Sequence, residues 1–248
     1  MTDRRRHRGA HPKDKELFSQ AALPALRSAV ADLSWLLSRG YPLRASLALV
    51  GDRDGLTVRQ RQAVRRCACS DEQRSERRMR RGSPDAMTGV PIWIDGFNVL
   101  TTVEAAFGGG VLLLALDGAL RDMASMHGSY RPVEETRPAI EAVADILESR
   151  DGTQCRWLLD QPVSNSGRLA AILREFAAER DLRWSVEVVP DPDRVLAAAP
   201  ADVLVASADS QVMDAAPRTW QLARETVEGM RPKPWIVDLT SSDGSNAS

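Results

Sequence analysis

Pro91-Ile92-Trp93-Ile94-Asp95-Gly96-Phe97-Asn98 is a short apolar run that stops on a carboxylate and turns on a glycine. Four apolar or aromatic residues in succession fit a strand buried on both faces, as in a parallel sheet. Working outward, the pattern recurs. Val111 to Leu116 is apolar and ends in Asp117-Gly118, and Cys155 to Asp160 ends in its own Asp. Trp184 to Val189 ends in Pro190-Asp191, Val203 to Ser207 is followed by Asp209, and Trp235 to Asp238 closes the series. Helical patterns lie between several of these runs, at Pro138–Glu148, Gly167–Arg180 and Thr219–Gly229. Strands alternating with helices imply an α/β fold with a mostly parallel sheet covered on both faces, in three α/β/α layers. Ligands of such sheets bind beyond the carboxyl ends of the strands, the edge where these Asp residues fall.

Upstream the character changes. Residues 1–90 carry 19 Lys and Arg against 10 Asp and Glu, a net of +9, whereas residues 91–248 carry 14 against 24, a net of -10. The overall charge of -1 hides this asymmetry. Basic surface attracts phosphate backbones, while clustered carboxylates repel them unless a divalent cation intervenes. The basic part reads as all-α. Leu26, Ala29, Val30, Leu33, Leu36 and Leu37 repeat at helical spacing behind Pro24, and Arg39-Gly40-Tyr41-Pro42 stops them. A short helix fits Leu43 to Val50, and Gly51-Asp52-Arg53-Asp54-Gly55 is a turn. Thr57 with Gln60 forms a capping box ahead of a helix through Arg59, Arg61, Arg65 and Arg66. The expected organisation is a disordered basic segment at 1–13, a helical basic domain at 14–85, an α/β domain at 90–240 and a disordered tail at 241–248.

Three cysteines are too few for a disulfide scaffold, and the Cys67-Ala68-Cys69 pair lacks the ligands for zinc. No stretch approaches the roughly 18 apolar residues needed to span a bilayer, and no apolar segment follows the basic start. A cytoplasmic protein without a membrane partner is expected. Its oligomeric state is open, a homodimer included.

Asp95, Asp160 and Asp209 each follow an expected strand, and in a parallel sheet the three ends can converge. Their mutual repulsion raises proton affinity and is relieved by a divalent cation. Oxygen ligands and neighbouring waters suit Mg2+ or Mn2+, which can activate water against a phosphodiester. Ser164-Asn165-Ser166-Gly167-Arg168 lies between a strand and a helix, where free N–H groups and Arg168 would suit a phosphate or Ser164 or Ser166 would cap the helix. Arg121 is a candidate partner for a site carboxylate, and His127 a candidate proton carrier. Asp117, Asp122, Asp202 and Asp214 are further acidic candidates.

Ile94-Asp95-Gly96-Phe97-Asn98 resembles the first motif of PIN and NYN nucleases, which reads IDG(Y/F)N. That resemblance implies that Asp95 binds metal and that Asn98 supports the site. Ala201 to Ser210 resembles the late strand of the same superfamily, implying Asp209 as a second ligand and Asp214 as a lesser one. The acidic residue usual on a central helix is not recognisable, and Asp117, Asp122 or Asp160 could stand in for it. The segment Leu37 to Ser70, taken with these, resembles the family known as domain of unknown function 434, with a PIN-like C-terminal partner domain. This second resemblance implies a fold and no established activity, whereas the PIN and NYN resemblance implies a metal-dependent nuclease acting on nucleic acid, RNA foremost. Two alternatives stand beside it. One is a non-catalytic binder in which Leu43–Val50 and Thr57–Arg66 form a helix-turn-helix. The other is a small-molecule phosphate hydrolase, in keeping with an aromatic content of only 5%.

Overall fold

The computed structural model describes residues 7–82, 89–123, 128, 130–149 and 154–240. Five helices come first: α1 (Asp14–Leu17), α2 (Leu23–Ser38), α3 (Leu43–Arg53), α4 (Val58–Cys67) and α5 (Asp71–Arg80). The remainder alternates as β1 (Ile92–Asp95), α6 (Gly96–Phe107), β2 (Leu112–Leu114), β3 (Leu120–Asp122), α7 (Thr136–Glu148), β4 (Cys155–Asp160) and α8 (Ser166–Glu179). It continues through β5 (Trp184–Val189), α9 (Pro192–Ala197), β6 (Leu204–Ala206), α10 (Ser210–Ala215), β7 (Thr219–Trp220), α11 (Leu222–Gly229) and β8 (Ile236–Asp238).

Five strands form one parallel sheet in the order β5-β4-β1-β6-β7. Its strands alternate between two apolar layers, as a period of two requires. Ile92, Ile94, Trp157, Leu159, Leu204 and Ala206 face α6, α7, α8 and α11, while Trp93, Leu158 and Val205 face α9 and α10. Ile92, Ile94, Trp157 and Leu204 are fully buried, each contributing roughly 1.5–3 kcal/mol against exposure. Three layers follow from that alternation. The helix after β1 leaves on one face of the sheet and the helix after the neighbouring β6 leaves on the other. A crevice opens at such a reversal, between the carboxyl ends of the two strands.

The expected strands at 111–116 and 235–238 do not join this sheet. They form β2 and β8 of a second sheet, ordered β3-β2-β8, which also contains a strand, β3, that the sequence did not announce. Residues along β2 face two ways: Leu112 enters the core of the large sheet, while Val111, Leu113 and Ala115 pack with Leu26, Leu33, Val64 and other residues of the first helices. The basic helices therefore share an apolar core with the acidic part.

Three further differences concern local structure. A twelve-residue helix, α6, starts at Gly96 where a turn alone was expected. Thr219 and Trp220 form a strand ahead of α11, so the helix expected from Thr219 begins at Leu222. Residues 7–13, expected to be disordered, are held in place. Arg8 pairs with Glu104, which is wholly buried and also accepts from Tyr130 and from Thr136 at 2.6 Å. A buried carboxylate left without that cation would be costly, which explains the order. Among the described residues no helix is long and apolar enough to cross a membrane.

Candidate active-site cleft

Gly96 allows the first turn of α6 to start directly beside β4. A Cβ at this position would sit 2.5 Å from a Leu159 methyl and 3.1 Å from the Leu158 carbonyl oxygen. The close approach brings Asp95, at the end of β1, next to the end of β4, where Asp160 sits. Asp95 Oδ1 accepts the Asn98 backbone N–H at 3.3 Å, and Oδ2 accepts the Ser207 hydroxyl at 2.7 Å. Ser207 in turn accepts the Asp209 backbone N–H at 3.0 Å, and Asn98 Oδ1 accepts the Ala208 backbone N–H at 2.8 Å. These bonds clasp the loop after β6 to the turn after β1. Asp209 caps α10 by accepting from Gln211 N–H at 2.8 Å.

The clasp forms the floor of a cleft of about 480 Å³ whose walls include Asp95, Asp122, Asp160, Asp193 and Asp209. Asp193 was not among the candidates from sequence. It lies in the first turn of α9, which packs against β1 and β4 and so carries the residue back to the central strand. A Pro-Asp pair after an apolar run was the visible signal, but it marks turns in general. Ser207, at the end of an apolar run, carried no signal of its own. Asp122, at the end of β3, accepts from the Thr101 and Thr102 hydroxyls at 3.3 and 3.1 Å. Helix α4 also lines the cleft, through Gln62, Arg65 and Arg66.

Burial pushes the Asp95 carboxyl up to about 7; Asp193 and Asp209 add repulsion, and the Ser207 and Asn98 hydrogen bonds only partly offset the rise. Burial also raises Asp193, to about 6, with Asp209, Asp160 and Asp191 contributing. Asp160 is raised by burial and by Asp191. No described residue gives the Asp160 or Asp193 carboxylate an ion pair or side-chain hydrogen bond. Such a set is short of positive charge. Its donors are all oxygens, the chemistry that Mg2+ or Mn2+ prefers. Among the described residues no three acidic, His or Cys side chains are already gathered tightly enough to enclose an ion.

Other sequence candidates lie elsewhere. Asp117 is buried between Arg77 and Arg121, 2.7 Å from each. Burial alone would raise its carboxyl, but the two guanidiniums and the Ala119 N–H hold it at about 2. Asp214 pairs with Arg77 at 2.6 Å. Asp202 is exposed at the amino end of β6, the opposite edge from Asp209. Arg121 reaches the cleft wall, yet its donors are spent on Asp117, the Ala208 carbonyl at 2.8 Å and the Arg66 carbonyl at 3.0 Å. The expected phosphate loop does not line the cleft. The Ser164 N–H donates to the Gly128 carbonyl at 3.0 Å, Asn165 Nδ2 donates to the Tyr130 carbonyl at 2.7 Å, and the Ser166 hydroxyl donates to the Asp160 and Val163 carbonyls. Arg168 is exposed on α8. Neither Ser164 nor Ser166 is the cap, which is Asn165 in the left-handed region at φ 69°. His127 lies outside the described residues.

Fold and site together define an α/β protein with a carboxylate cleft at the switch point of a parallel sheet, walled by a basic helix. Comparison with known proteins agrees on kinship. Residues 84–225 match the family model described as "Domain of unknown function (DUF5616)", and residues 25–80 match "Protein of unknown function (DUF434)". The chain belongs to the first of these families, whose model covers more than half of it, and the match to the second falls on its basic helices. It is similar to the uncharacterized protein MJ0935 of Methanocaldococcus jannaschii, with 30% identity over 151 residues, 61% of this chain and 72% of that protein. No solved structure matches the chain.

Proposed function

We propose that this protein is a metal-dependent phosphodiesterase of the nuclease type, with a PIN-like α/β domain, acting on RNA. One observation carries the reading: Asp95, Asp160, Asp193 and Asp209 line one cleft at the strand ends without a cationic partner among the described residues. Asp95 and Asp209 are the residues that the nuclease motifs would assign to metal. Mg2+ or Mn2+ bound here would supply Lewis acidity toward a phosphodiester and a water of lowered pKa. The chain's own contribution is orientation. Ser207 and the Asn98 N–H fix both oxygens of Asp95, and Asn98 holds the Ala208–Asp209 loop at a set distance from it. Asn98 Nδ2 has no partner among the described residues and can donate to a bound oxygen.

The helix-turn-helix alternative is less well supported. Arg59, Arg61 and Arg66 of α4 are engaged with Asp14, Asp52 and Asp122, which leaves fewer uncommitted cations on that helix for a duplex backbone.

The test is cleavage of single-stranded RNA with Mg2+ or Mn2+ against the same reaction in chelator. Asp95→Asn is expected to lower the rate about 10²–10³-fold, the scale of losing one charge-stabilising group. Asp202→Asn, at the far edge, should cleave like the wild type. Undiminished cleavage by Asp95→Asn would falsify the assignment.

A further inference from the structure

The cleft has two unlike walls, and the basic one is built. Helix α4 is fixed against the rest of the molecule at several points: Arg59 to Asp14 and to the Met123 carbonyl, Arg66 to the Asp122 carbonyl, Arg121 to the Arg66 carbonyl, and the Leu116 N–H to the Cys67 carbonyl at 3.0 Å. Three of its four arginines are used inside the molecule. Arg65 is the exception. It is exposed, lines the cleft with Gln62 one turn before it, and makes no ion pair or hydrogen bond with any described residue. A rigid helix thus presents one uncommitted guanidinium and one carboxamide to the cleft that the carboxylates line. An arginine placed so can take a phosphate through two parallel N–H bonds, which a cation of the metal type opposite cannot do.

We infer that Arg65 and Gln62 form a phosphate subsite for the strand flanking the reacting bond, so that the substrate is a single-stranded oligonucleotide anchored on α4. The inference rests on the nuclease reading for the position of the reacting bond, and it is separable by experiment. A carboxylate floor disfavours an anion by itself. Arg65 and Gln62 line the same cleft as the carboxylates and supply it with a cationic and an amide donor for the neighbouring phosphate. A lone nucleoside monophosphate reaches the metal side without needing Arg65.

Binding of a fluorescent single-stranded RNA of about 12 nucleotides, within the span that single-strand grooves take, tests this in Mg2+ across a salt series. Arg65→Ala should weaken binding about tenfold, the scale of one charge-assisted hydrogen-bonding group. The slope of log affinity against log salt should flatten by about 0.7, one phosphate contact on a single strand. Arg65→Lys should recover part of the affinity, and adenosine monophosphate should bind both variants as it binds the wild type. Arg78→Ala removes an exposed arginine of α5 outside the cleft and should change nothing. The subsite is overturned by wild-type affinity in Arg65→Ala, by an equal loss in Arg78→Ala, by an equal loss for adenosine monophosphate, or by absence of RNA binding in the wild type. If Arg65 governs binding but Asp95→Asn leaves cleavage unchanged or no cleavage exists, the nuclease reading fails and the subsite stands. If Asp95 governs cleavage and Arg65 affects neither affinity nor slope, the reverse holds.

Discussion

Asp117 and Asp95 are both aspartates that follow an apolar run, both are nearly inaccessible, and the fold treats them in opposite ways. Asp117 sits between two guanidiniums, and its carboxyl is held at about 2. Asp95 sits among other carboxylates with hydroxyl and amide donors only, and burial takes it to about 7. Burial acts in the same direction on both; countercharge decides the outcome. The paired aspartate joins α5, the β2–β3 turn and, through Arg77, α10. The unpaired one is left with a deficit of positive charge that a cation can fill. A strand-end aspartate is thus a structural pin or a candidate ligand according to what faces it.

The contrast breaks most visibly at Asp117. Asp117→Ala leaves Arg121 buried without its carboxylate and Arg77 with Asp214 alone, and should cost about 3–5 kcal/mol in chemical denaturation. A loss as small as that of a surface substitution would show that the pair is relaxed. The pH dependence comes next. Between the ordinary aspartate value of 3.8 and about 7, folded Asp95 keeps a proton that the unfolded chain has released. Its contribution to stability is therefore complete below 3.8 and is lost as pH rises through about 7, by up to about 1.4 kcal/mol per pH unit. Asp193 acts in the same direction up to about 6. Asp117 has the opposite sign: its contribution is present above 3.8 and is lost as pH falls through about 2. Metal-free protein should lose melting temperature between pH 4 and 7, Mg2+ should restore it, and Asp95→Asn should flatten that limb while leaving the acid limb intact. A profile in which Asp95→Asn changes nothing would place the titration elsewhere. The smallest effect sharpens the geometry: Gly96→Ala should cost roughly 1–3 kcal/mol by pushing α6 from Leu158 and Leu159. Thermal melts that match the wild type would mean the helix can shift without strain.

Much of the frame was legible from residues 92–95, 155–160, 184–189 and 204–206, because uninterrupted apolar runs of strand length have few other uses. The capping box at Thr57 was equally plain, and Ser70 with Gln73 repeats it one helix later. What misled was the assumption that every such run joins one sheet. Val111–Leu116 and Trp235–Asp238 look like the others locally; their alternation between two cores appears only when the helices of 14–80 are packed against them. The Ser164–Ser166 loop carries the composition of a phosphate site, yet donors of it are taken by the Gly128, Tyr130, Asp160 and Val163 carbonyls.

The sequence by itself determined that Asp95 ends a buried strand, that Gly96 and Asn98 follow it, and that a basic helical region precedes an acidic α/β one. Those are consequences of local pattern and short-range sterics. Only the tertiary structure decided which carboxylates meet. Asp193 reaches the cleft because α9 folds back over β1 and β4, Asp117 leaves it because Arg77 arrives from α5, and Arg65 faces it because α4 is tied to the second sheet. Each depends on contacts between residues far apart in the chain, and no periodicity in a single strand or helix encodes them.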